Sequence, residues 1–133
     1  MLQYVTARAL LSAIAEAEAG PQPGELDDAP AINNWFLIWR DGDVVRADGD
    51  VSGHPTISDP WVTTSPVLGY AYDFDRQRGW LRSISRWYRL GQLRKVPVDA
   101  TVPDQARREA LLSADIRLER QRREWRDQYR VGT

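Results

Sequence analysis

The hydrophobic positions open at helical spacing. Over residues 2–19, Ala7, Leu11, Ile14 and Ala17 recur three and four apart, Leu10 widens that face, and the segment is rich in alanine, which predicts an N-terminal helix. Gly20-Pro21 supplies a left-handed cap residue and then a residue that cannot continue the helix. Pro21 to Pro30 (PQPGELDDAP) reads as an acidic linker. From Asn34 the period changes to two: Trp35, Leu37 and Trp39 share one face of a strand, Phe36 and Ile38 the other. Asp41-Gly42 is a hairpin turn signal, and Val44 and Val45 begin the return, so residues 33–53 are expected to form a hairpin. A second Asp-Gly, at Asp48-Gly49, predicts a further bend or a bulge.

Turn chemistry follows at Gly53-His54-Pro55 and Ser58-Asp59-Pro60. Trp61 to Ser65 is β-branched and strand-like, Pro66 ends that strand or places it at an edge, and Val67 to Phe74 continues before a polar turn over 73–79. Residues 80–90 (WLRSISRWYRL) are ambiguous: periodicity alone favours a helix, whereas composition and the preceding turn favour a strand. As a helix they gather Trp80, Leu81, Ile84, Trp87 and Tyr88. As one strand, the reading favoured here, they put Trp80, Arg82, Ile84, Arg86 and Tyr88 on one face, and Leu81, Ser83, Ser85 and Trp87 on the other. Residues 102–130 are a helix, capped by Thr101 with Asp104 three residues into it and Pro103 in the first turn. Its stripe is Leu111, Ala114, Leu118, Gln121 and Trp125, extended by Tyr129; the narrow stripe suits a helix lying across a sheet or paired with a second copy. The sum is an α+β chain: a helix over 1–20, a small antiparallel sheet within 33–91 and a long C-terminal helix, one domain over 1–133.

Charge changes this picture. Residues 1–75 carry 3 basic and 12 acidic side chains, a net of −9, whereas residues 76–133 carry 15 basic and 7 acidic, a net of +8. Of the 18 basic residues 17 are arginine, which forks onto phosphate or carboxylate and stacks on rings. Six Trp and five Tyr make the aromatic content unusual in kind, and Arg82 to Arg89 interleave guanidinium groups with rings, a chemistry suited to stacking on bases while neutralising phosphates. No cysteine means no disulfide, thiolate nucleophile, zinc knuckle or iron–sulfur cluster. A single histidine, His54, excludes mechanisms that need two imidazoles. No phosphate loop and no dinucleotide fingerprint occur, so no cofactor is expected. No apolar run is long enough to span a membrane, and the N-terminus lacks a basic leader, so a cytoplasmic protein is expected.

Three patterns invite chemistry. His54 in a constrained turn, with Asp50 or Asp59 to orient it, is a candidate base, and Thr63, Thr64 and Ser65 are candidate nucleophiles without an elbow motif. Asp41, Asp43, Asp48 and Asp50 form an acidic cluster able to hold Mg²⁺ or to imitate nucleic-acid phosphates. Their plainer reading is turn formation and solubility. The Arg/aromatic segment is the third.

The stretches Gly49–Pro55 (G-x-V-S-G-H-P), Val62–Val67 (V-T-T-S-P-V) and Gly79–Gly91 (with S-R-W-Y-R-L-G) resemble a family of small proteobacterial proteins of unknown function that occur on plasmids and in prophage-like regions. The likeness spans residues 45–95. It implies a strand-rich middle and no assigned activity, with Gly53, His54, Pro55, Thr64, Ser65, Tyr88, Leu90 and Gly91 as turn and packing residues.

The expected function is that of a non-enzymatic binding protein for nucleic acid or a protein–nucleic-acid complex. Its surface would be the segment from Arg82 to Lys95 together with Arg122 and Arg126 on the last helix; Arg86, Arg89, Arg94 and Lys95 would contact phosphates, and Trp87 or Tyr88 would stack. The alternative is a mobile-element inhibitor or adaptor of anti-defence type, whose Asp41, Asp43, Asp48 and Asp50 would occupy a basic groove on a host protein. A metal-dependent hydrolase built on His54 comes third. The striped helix also permits a homodimer.

Overall fold

The computed structural model describes residues 6–39, 44–54, 60–94 and 104–129, with side chains of the last segment from residue 108 onward. Helix α1 (Ala7–Ala19) starts at Thr6, whose hydroxyl accepts from the Ala9 N–H at 3.1 Å. It stops at Gly20, where φ of +83° would strain any other residue and whose N–H reaches Glu16 O at 3.0 Å. Its buried face is Leu10, Ala13, Ile14 and Ala17. Leu11, expected at the centre, is only half-buried, because the helix docks along the i, i+3, i+4, i+7 set that starts at Leu10.

Six strands follow: β1 (Ala31–Ile38), β2 (Arg46–Ser52), β3 (Trp61–Thr63), β4 (Val67–Asp73), β5 (Arg78–Ser83) and β6 (Trp87–Leu90). They form one sheet in the order β3-β2-β1-β6-β5-β4. Every pair is antiparallel except β1 and β6, a parallel pair that the expected all-antiparallel sheet did not include. The expected hairpin is β1–β2; its Asp41-Gly42 turn lies outside the described residues. Trp35, Leu37 and Trp39 alternate with Phe36 and Ile38 as the period predicts, and Leu37 pairs with Ala47 inside while Phe36 pairs with Asp48 outside. No bend occurs at Asp48-Gly49. The irregularity is a bulge on the opposite strand, between Asn33 and Phe36, with Asn34 at φ +51°. Gly49 is what lets that bulge close in: a Cβ there would stand 2.4 Å from Ile32 Cγ2 and 2.9 Å from Asn33 O.

Residues 80–90 are extended, but as two strands and not one. Ser83 turns the chain: its N–H donates to Arg86 O at 2.9 Å and its hydroxyl accepts the Arg86 N–H at 3.2 Å. The turn resets the alternation. Trp80 faces Arg89 and Arg82 faces Trp87 on the outside, while Leu81 pairs with Tyr88 on the inside.

The sheet rolls until its ends meet. Thr64–Pro66 joins the two edge strands, with the Thr64 N–H on Ala47 O at 2.9 Å and the Val67 N–H on Val45 O at 2.7 Å. Helix α2 (Asp104–Gln128) lies in the opening that remains, and its expected stripe of Leu111, Ala114, Leu118, Gln121 and Trp125 is buried throughout. The Thr101 cap and Pro103 lie outside the described residues. Leu111 and Leu118 join Ile32, Trp35, Val45, Leu81 and Tyr88 in the main core. Gln121 sews the seam, accepting the Val45 N–H at 3.1 Å and donating to Val67 O at 2.8 Å. Helix α1 packs on the outer side of β4, where Leu10 and Ile14 meet Leu68 and the α2 residue Trp125. Among the described residues no helix is long and apolar enough to cross a membrane.

Candidate functional site

The hairpin β5–β6 decides which arginines face outward and which are already engaged. Arg82 is 9% exposed. Its guanidinium lies 5.6 Å from the Trp87 ring, donates to Ser83 O at 3.0 Å and meets Glu16 of α1 at 3.4 Å. Trp87 is 8% exposed and packs edge-on against Trp80; Tyr88 is 2% exposed and sits in the core. The stacking role expected of Trp87 and Tyr88 is therefore withdrawn: buried rings present no face to a base. Burial also raises the Tyr88 phenol pKa, with the nearby Arg86 charge acting against it. On α2, Arg122 donates to Leu68 O at 2.7 Å and sits 3.5 Å from Glu18, which also binds Arg126. Arg82, Arg122 and Arg126, expected on the binding surface, are thus paired with the two glutamates of α1.

Arg86, Arg89 and Arg94 differ. None makes an ion pair with a described carboxylate. Arg86 closes the β5–β6 turn near His54 and Tyr88. Arg89 stands exposed on the outer face of β6, its Nε donating to Ala29 O at 2.9 Å. Arg94, just past β6, lies over Phe36 at 4.7 Å and Trp61 at 5.8 Å. Trp61 is 40% exposed, so this guanidinium and one ring face solvent together. Lys95 lies outside the described residues. On α2, Arg120 and Arg123 are exposed, the latter 3.8 Å from Glu119.

Of the acidic cluster, Asp41 and Asp43 lie outside the described residues. Asp48 and Asp50 are on the outer face of β2; Asp50 accepts from Asn34 Nδ2 at 2.9 Å, and Asp48 Oδ1 is buried with no hydrogen-bond partner. His54 sits with its ring 6.2 Å from that of Tyr88. Burial first, and the Arg86 charge second, lower its pKa from 6.5. Thr64, a candidate nucleophile, is buried and uses its hydroxyl in the sheet seam, accepting from the Ala47 N–H at 3.1 Å and donating to Ser65 O at 2.8 Å. Among the described residues no three His, Asp or Glu side chains gather as a metal site.

Two concavities accompany these side chains. One, of about 370 Å³, lies between α1, α2 and β4 and is walled by Glu18, Asp115, Glu119 and Arg122. The Tyr70 hydroxyl there donates to Leu111 O at 3.2 Å, and burial chiefly, with Asp115 beside it, raises its pKa. The other, of about 720 Å³, is apolar and opens under the turn of residues 22–28, with Trp80 and Arg89 in its walls. Sequence reasoning missed it because Pro21–Pro30 reads as a linker. In the fold Leu26 is half-buried and Ala29 and Pro30 are buried against the sheet.

No curated protein and no solved structure matches the chain. A family model matches residues 4–118, which takes in α1, the whole sheet and more than half of α2. The chain belongs to that family, a family of unknown function (DUF6634).

Proposed function

We propose that the protein is a non-enzymatic binding module for nucleic acid, alone or within a protein complex, and that its contact line follows β6. Arg89 and Arg94 would meet phosphates along this line, Arg86 would add charge from the turn that precedes it, and Trp61, beside Arg94, replaces Trp87 and Tyr88 as the ring offered to a base. One observation carries the reading: the acidic N-terminal half neutralises Arg82, Arg122 and Arg126 through Glu16 and Glu18, and leaves Arg86, Arg89 and Arg94 without a described carboxylate. The proteobacterial mobile-element setting implied by the G-H-P and S-R-W-Y-R-L-G motifs, and a cytoplasmic location, belong to the same proposal.

The test is an electrophoretic shift with single- and double-stranded DNA and RNA over a salt series. Binding at low salt is expected, falling linearly on a log–log plot. Arg94→Ala should weaken it and flatten the slope by about 0.7 for a single strand. No shift at low salt, or a shift indifferent to salt, removes the proposal. A host protein captured after nuclease treatment, with no shift, would transfer the assignment to an inhibitor acting through Asp48 and Asp50.

A further inference from the structure

The groove of about 720 Å³ is independent of that contact line in all but one residue. Its floor is the outer face of β4, β5, β6 and β1. Its walls are apolar: Ala71 from β4, the Trp80 ring from β5, Ala31 from β1 and Leu26 from the turn above. The segment that carries Leu26 is fastened down. The Arg89 N–H donates to Pro30 O at 2.8 Å and the Ala29 N–H to Leu26 O at 3.2 Å. Within this apolar surround stands Arg89, opposite Trp80 on one neighbouring strand and Ala31 on the other. Its Nε is engaged by Ala29 O, while both terminal nitrogens of the fork have no partner among the described residues. Arg78 lines the same groove and makes no ion pair with a described carboxylate. The acid in the lining, Asp73, is occupied: Oδ1 accepts the Asp75 and Arg76 N–H groups at 3.0 and 3.2 Å, and Oδ2 sits 3.9 Å from Arg76 Nε.

A cleft of several hundred Å³ with apolar walls and one or two placed polar groups is the usual build of a small-molecule site. The polar groups here are guanidinium forks, whose planar pair of donors matches a carboxylate. We propose that this groove binds a small amphipathic carboxylate. Its apolar body lies along Trp80, Ala71 and Leu26, and its carboxylate takes the terminal nitrogens of Arg89, with Arg78 adding charge at the rim. The apolar walls favour a hydrocarbon or aromatic body over a polyhydroxylated one, since the described wall side chains offer a hydroxyl little to pair with.

Titration calorimetry on the full chain tests this with three probes of equal tail length: decanoate below its micellar concentration, decanol and decyltrimethylammonium. Decanoate is expected to bind, decanol about tenfold more weakly, and the cation not at all. Arg89→Gln should bring decanoate down to the level of decanol. Ala71→Phe should fill the groove and abolish binding of both, with circular dichroism and melting unchanged. Equal affinity for decanoate and decanol, or decanoate binding that survives Ala71→Phe in a folded protein, overturns the proposal. So does a wild-type protein that ignores all three probes and sediments as a dimer that Ala71→Phe dissociates, which would give the groove to a second copy. Ala71 touches none of the three arginines of the nucleic-acid line by ion pair or hydrogen bond, so Ala71→Phe is expected to leave the gel shift intact, and the two proposals fail separately.

Discussion

Gln121 shows how much one polar side chain can decide. It is buried on the apolar stripe of α2, and its amide satisfies one N–H and one C=O at the seam of the rolled sheet. Gln121→Leu keeps the bulk but orphans both backbone groups, and a buried orphan costs about 1–3 kcal/mol. We expect urea unfolding to show a loss of about 2–4 kcal/mol with little change in slope. Gln121→Glu can still accept from Val45 but donates to Val67 O only when protonated, so that variant should gain stability as pH falls. His54 carries a pH prediction of its own. Its lowered pKa means that the folded state holds a proton less readily than the unfolded chain. Its contribution to stability is therefore full above 6.5 and is lost as pH falls below that value. The chain has a single histidine, so one imidazole resonance followed by proton NMR reports it directly. The midpoint should lie below 6.5 and rise in Arg86→Gln, which removes the second of its two causes and keeps the first.

At the scale of elements, α1 acts as a counterion as well as a packing unit. Its apolar face grips Leu68 and Trp125, and Glu16 and Glu18 on its flank neutralise arginines from β5 and α2. Glu18 is partly exposed, so its pairs are modest; Glu18→Gln should lower stability by about 1 kcal/mol, and the difference should shrink at high salt. The same change frees Arg122 and Arg126 and should strengthen nucleic-acid binding in the shift assay while leaving β6 untouched. Weaker binding in a folded Glu18→Gln would argue that α1 belongs to the contact surface. The β5–β6 hairpin is the element that alters the functional reading most. A single strand would set Trp87 opposite the arginines; the Ser83 turn places Trp87 on the same outer face as Arg82 and Arg89, where Trp80 and Arg82 cover it.

For the molecule as a whole, the joint between edges governs cooperativity. The core residues Trp35 and Tyr88 come from strands on one side of the roll, and α2 supplies Leu111 and Leu118 from the other. Removing the helix would expose the core and unpair the seam together. We expect thermal unfolding followed by tryptophan fluorescence and by far-ultraviolet circular dichroism to coincide, and a chain ending before Asp104 to lack a cooperative transition. Separate transitions for helix and sheet would show that α2 is an appendage. Charge is also settled at this scale. The halves carry opposite sign, and apart from the local Asp73–Arg76 contact the ion pairs shown between them run from the glutamates of α1 to Arg82, Arg122 and Arg126.

Local pattern alone was enough to specify both helices, the stripe of α2 and the β1 alternation, because those depend on periodicity and on neighbours within a few residues. For residues 80–90 periodicity by itself favours a helix, and only composition, the preceding turn and the family resemblance point to the extended chain that forms. That the chain belongs to an uncharacterised family was expected from the sequence, and a family of unknown function matches residues 4–118. Three matters lay beyond local pattern. The parallel contact of β1 with β6, the closure through Thr64–Pro66 and the seating of Leu26 on the sheet each join residues far apart in the chain, and no spacing rule encodes such pairings. Which arginines remain open to an outside anion follows from those same pairings: a guanidinium is neutralised by whatever carboxylate the fold brings within reach, and distance along the chain says nothing about that.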